Sequence, residues 1–186
     1  MIKDLFAPKD MTQGAPWKRI AEFTIPMFIG NVAQQFYNTA DSIIVGRYIG
    51  DNALAAVGSA APILFLLMVL FVGISVGAGI MVSQYFGAKD RENLSRTIGN
   101  CLTQTALASV VIMVIGPLAS KPLLILLNTP PSILDWCADY LNIFFLGSAG
   151  FAFYNILAGV LRGLGDSFSA LVFLLISTAL NVWLDI

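Results

Sequence analysis

Residues 54–85 read LAAVGSAAPILFLLMVLFVGISVGAGIMVSQY, a run without one charged side chain. A bilayer core is about 30 Å thick and a helix rises about 1.5 Å per residue, so about 20 apolar residues cross it. A run of this length has room to span with tilt. In lipid, where no water satisfies the backbone, it must do so as a helix.

Outward from this run, the same reading gives four more spans, at 20–46, 98–118, 133–161 and 168–186. Charged or turn-forming joints separate them at 47–52, 87–96, 121–131 and 162–167. The expected fold is all-α, a polytopic transmembrane helical bundle of about five spans, preceded by a tail over 1–19. Composition agrees: 58% of the 186 residues are hydrophobic and 11% charged, where a soluble domain carries roughly 25% charged residues. Mean hydropathy is +0.82. The net charge of -1 says nothing about nucleic acid, but no basic cluster suited to a nucleic-acid backbone is seen, so no nucleic-acid partner is expected. With no histidine in the chain, an imidazole-based triad and a His-ligated metal are excluded, and proton chemistry falls to carboxylates first and tyrosines second. No nucleophile–base pair stands out, so an enzyme is not expected.

The basic residues orient the bundle. Lys3, Lys9, Lys18, Arg19, Lys89, Arg91, Arg96 and Arg162 fall on one side, and only Arg47 and Lys121 on the other. Cytoplasmic loops carry the excess of Lys and Arg, which puts the amino terminus inside the cell membrane. The mixed tail, with Lys3, Asp4, Lys9 and Asp10, does not have the form of a cleaved signal peptide. The last span reaches Ile186 with no helix-stop signal, so we expect the chain to be one piece of a longer protein. Cys101 and Cys137 fall near opposite faces, which argues against a disulfide.

Polar residues inside the spans are the informative feature. In the first span Asn31, Gln34, Gln35, Asn38, Asp41 and Ser42 recur at steps of three and four, along one helical face. One amide there could be interhelical glue. Four amides and a carboxylate point to an ion or substrate path, because a charge inside a membrane is costly. In the fifth span Thr178, Asn181 and Asp185 repeat the pattern, although Asp185 lies near the span's end. Asp41 follows Arg19 by 22 residues and Asp185 follows Gly165 by 20, so both lie about 30 Å from the inner boundary. Two carboxylates at one height, with an amide a turn below, have the oxygens to share a proton or hold a monovalent cation such as Na+.

Other positions carry two readings each. Pro26 removes a backbone bond and bends its helix, as a fixed kink or as a hinge. Glu22, beside Lys18 and Arg19, reads as a solvated or paired interfacial carboxylate. Gly73 and Gly77 form a small-xxx-small pair suited to close packing. Tyr140, Tyr154 and Asn155 either line a cavity or, for the tyrosines, serve an interfacial belt or simple packing.

Four stretches together resemble the amino-terminal half of a multidrug and toxic compound extrusion (MATE) transporter. They are QFYNTAD at 35–41 followed by VGR at 45–47, SQYFGAKD at 83–90, LRGLGD at 161–166 and NVWLD at 181–185. Each is weak alone; their order and separation make them specific. The resemblance implies a twelve-helix fold of two six-helix lobes around a cavity open alternately to either side. It implies export of small organic cations in exchange for Na+ or H+, and no other cofactor. It further implies a coupling-ion site at Asp41, Asn181 and Asp185 and a bend of the first helix near Pro26. The polar faces themselves offer Gln34, Gln35, Asn38, Tyr140 and Thr178 as cavity-lining candidates. The chain lacks a sixth span and the carboxy-terminal lobe, its expected partner alongside membrane lipid. Two rivals are a lipid-linked precursor flippase of the wider superfamily and a non-transporting membrane scaffold. A flippase of that type tends to line its cavity with cations, whereas these spans hold acids and almost no Lys or Arg.

Overall fold

A computed structural model describes residues 15–44, 46–47 and 50–184, with side chains described at all of these but 37, 40–42, 44, 51–52, 181–182 and 184. Five helices among the described residues come in the predicted order: α1 Pro16–Ile44, α2 Asp51–Gly87, α3 Arg91–Leu126, α4 Leu134–Gly163 and α5 Ser167–Leu184. Among the described residues there is no strand.

Among the described residues, three helices are long and apolar enough to cross a membrane, over Ala53–Gly87, Arg91–Leu126 and Leu134–Gly163, and α5 is apolar over the shorter Ser167–Leu180. Helix α1 has the length, at 29 residues, but its amide stripe dilutes its apolarity. Helix α3 runs well past the predicted 98–118 at both ends. Its charged first turn stays helical because Asp90 caps it, and because Glu92 and Arg96 pair across one turn at 2.7 Å. At its other end Pro117 and Pro122 lie within the helix, and Ser120 Oγ donates to the Pro117 carbonyl at 2.8 Å.

Three helix ends close in one way. The N–H groups of Asp90, Thr129 and Asp166 donate to the carbonyls of Tyr85, Leu124 and Leu161, five residues back, at 3.0, 3.1 and 2.9 Å. The residue before each donor is left-handed: Lys89 (φ 60), Asn128 (φ 56) and Gly165 (φ 85). Asp90 and Asp166 then start the next helix, accepting from the Asn93 and Ser169 N–H groups at 3.1 and 2.9 Å. Two stretches that carried the family resemblance, GAKD and GLGD, are thus the same device, a helix stop followed by a helix start. Asn93, through its side-chain amide first and its N–H second, holds the Asp90 carboxyl below the usual carboxylate range.

Helix α4 lies between α2 and α3 and packs on both, while α1 packs chiefly on α5. The core at one end of the bundle joins Ala56, Ala60 and Leu64 of α2, Leu124 of α3, and Cys137, Leu141 and Phe145 of α4. Along α3 the interior is mostly small and polar. The buried face of α3 is Thr97, Thr105, Ser109, Gly116, Ser120 and Leu124, whereas Leu107, Val111, Val114 and Leu118 lie exposed. That inversion suits a lipid solvent, where small residues bring helices close and hydroxyls bond to nearby carbonyls. Both cysteines are free, and Cys137 Sγ donates to the Ala56 carbonyl at 3.6 Å.

Helices α2 and α4 approach backbone to backbone. A Cβ added to Gly159 would lie 2.6 Å from the Ser75 carbonyl oxygen, and one added to Gly163 would lie 2.7 Å from that of Gly79. Ser75 Oγ donates to the Asn155 carbonyl across the same seam.

Candidate functional site

A cavity of about 270 Å³ lies where α1 and α5 meet the flank of α2 and α4. Pro26, Gly30, Asn31 and Gln34 form its α1 wall. These positions follow steps of three and four, so one face of α1 supplies the wall. Pro26 is fully buried in it. The α4 wall is Phe151, Tyr154, Asn155, Ala158 and Arg162, again one helical face. Met68 and Val72 contribute from α2, and Leu171 and Leu174 from α5.

Local bonds hold the polar members of this wall. Asn155 is tied twice, its Nδ2 donating to the Phe151 carbonyl at 2.8 Å and its own carbonyl accepting from Ser75. Arg162 Nε donates to the Ala158 carbonyl at 3.0 Å. The cavity thus offers amides, a phenol and a methionine and aromatic lining. Its one charged lining residue is Arg162. Such a pocket can hold a flat or flexible organic molecule through apolar contact and a few oriented hydrogen bonds.

The predicted site residues divide. Gln34 lines the cavity, joined by Asn31, Tyr154 and Asn155. Gln35 is exposed and not in this wall, and its carbonyl accepts from Thr39 Oγ1 at 2.9 Å. Asn38 is exposed further along α1, and Thr178 is half-buried on α5 outside the cavity. Of the readings open for Tyr140, the structure favours packing over the cavity: it packs against the apolar core of α2, α3 and α4. An aromatic ring one turn from Cys137 and next to Leu141 follows the packed face of α4, which sequence alone could not assign to core or cavity. Asp41 and Asn181 lie on α1 and α5, which are packed neighbours, but their side chains lie outside the described residues, as does Asp185 altogether. Sequence reasoning missed Arg162, read only as a loop charge. The signal was present, because 151, 155, 158 and 162 fall on one helical face.

The MatE family model matches residues 26–186. The chain belongs to the MatE family. Relatives and structures agree. YoeA of Bacillus subtilis, named as a probable multidrug resistance protein, is 35% identical over 166 residues, which are 89% of this chain and 36% of that protein. Crystal structures of a MATE protein in a straight and in a bent conformation match with TM-scores of 0.87 and 0.85. Both are 29% identical and cover 94% of this chain and 39% of theirs. The MatE chain described here therefore spans little more than a third of the length of these relatives, and its fold is that of a MATE amino-terminal lobe.

Proposed function

We propose that the protein carrying this chain is a secondary multidrug efflux transporter of the cell membrane, exporting organic cations in exchange for Na+ or H+. The observation that carries the reading is the cavity itself: amides and aromatic rings walled on one side by a proline-bearing helix whose far end holds Asp41. Asp41, Asn181 and Asp185 are the coupling-ion residues. A carboxylate pair in an apolar setting binds Na+ or a proton, but is too costly to leave bare. Pro26 is the hinge. Helix α1 has no backbone donor there, and α1 rests on α5 and the cavity, so it can bend. The crystallised MATE relatives, recorded both bent and straight, support this role. The name of YoeA supports the substrate class, and the distribution of Lys and Arg supports a cytoplasmic amino terminus.

The test is dye efflux by the full-length protein in vesicles, with Na+ and H+ gradients imposed separately. Efflux driven by one gradient and abolished by its collapse is expected. Equal efflux with neither gradient would remove the exchange mechanism. Pro26→Ala should slow efflux while leaving dye binding in place; an unchanged rate would remove the hinge.

A further inference from the structure

Two more cavities, each of about 260 Å³, open between α1, α2 and the end of α4, and share Phe23, Ser83, Arg162 and Gly163. Together they make one crevice at the end of the bundle where Lys18, Arg19, Lys89, Arg91 and Arg96 also lie. The acids nearest in sequence to these walls are engaged. Glu22 pairs with Arg19 at 3.4 Å, and both Asp166 oxygens accept from Ser169 at 2.9 and 2.6 Å. Arg162 differs. It is half-buried, its Nε bonds only a carbonyl of its own helix, and among the described residues it has no carboxylate partner.

A half-buried guanidinium facing an apolar crevice is costly without an anion, and its fork of donors matches a phosphate. The crevice's rim decides where that phosphate comes from. Val76 and Ile80, which line it from α2, are 55% and 52% exposed, on an apolar flank of a helix long enough to cross a membrane, and Phe23 and Phe86 supply further apolar wall. Entry is therefore from the bilayer, at the side where basic residues collect anionic lipids. We propose that this crevice binds an anionic phospholipid, with its phosphate on Arg162 and its glycerol and upper acyl chains along Phe23, Val76 and Ile80. The bound lipid touches α1 at Phe23 and Met27, on either side of Pro26, and so braces the helix at its bend.

The test is native mass spectrometry of the full-length protein in detergent with phosphatidylglycerol, phosphatidylcholine or inorganic phosphate. Phosphatidylglycerol should be retained in preference to phosphatidylcholine, and excess inorganic phosphate should not displace it. Arg162→Gln should lower retention at least about fivefold, Arg162→Lys should restore part of it, and Arg96→Gln should change nothing. Ser83→Leu fills the crevice while leaving Arg162 in place, and should lower retention likewise; it carries the test should Arg162→Gln not fold. Native retention in Arg162→Gln or Ser83→Leu would overturn the proposal. So would an equal loss in Arg96→Gln, or ready displacement by inorganic phosphate.

Discussion

Helices α2 and α4 meet backbone to backbone, whereas α1 meets α5 through the ends of leucine side chains. On the first seam, Cβ atoms at Gly159 or Gly163 would run into main-chain oxygens. On the second, a Cβ on Gly30 would come to 3.2 Å from Leu171 Cδ1 and Leu174 Cδ2, atoms that rotate away cheaply. The first arrangement sets main-chain atoms, which cannot rotate aside, against these positions. The second allows sliding and bending, and the amide stripe, Pro26 and Asp41 all lie on that side of the lobe. On the proposed function, α2 to α4 form the fixed body and the α1–α5 pair is the part that works against it.

Breaking the fixed seam should cost most. Gly163→Val forces a side chain against the Gly79 carbonyl and the Val82 side chain; about 3 kcal/mol of stability should be lost, read as a lower midpoint of thermal unfolding in detergent. Asp166→Ala removes the acceptor at the start of α5 and should cost about 1 kcal/mol, with Asp166→Asn retaining most of the cap. Ser75→Ala deletes the bond across the α2–α4 seam and should cost about 0.6 kcal/mol. Gly30→Ala, on the yielding side, should change the midpoint less than any of these. A loss from Gly30→Ala as large as from Gly163→Val would erase the contrast.

The smallest effect sharpens the picture at the α2–α3 turn. The Asp90 carboxyl titrates below its ordinary value in the folded protein because Asn93 hydrogen bonds favour its ionised form. A depressed folded pKa stabilises the protein above the unfolded pKa. That contribution fades as pH falls through the folded one. Unfolding midpoints of the native protein and Asp90→Asn should therefore converge toward low pH. A constant difference down to acid would show that the cap's charge is not involved.

Much of this was legible in sequence, and the limits have physical causes. Apolar runs between charged joints gave five helices in order, because lipid tolerates no alternative backbone. Periodicity gave the face of α1 that carries Asn31 and Gln34. It could not say which neighbour that face meets, since a face is local and a partner is not. Tyr140 went to the core and Arg162 to the cavities for that reason. The ends of α3 were missed because charge density marks where a span leaves the membrane, while a cap and an ion pair let the helix continue beyond it. The spacing that pairs Asp41 with Asp185 rests on helical rise alone.

The most direct test of the working α1–α5 pair is Asp41→Asn in the full-length protein, with gradient-driven efflux of a cationic dye and thermal unfolding measured on one preparation. Loss of gradient-driven efflux with an unchanged unfolding midpoint is the predicted result. Efflux at the native rate would contradict it.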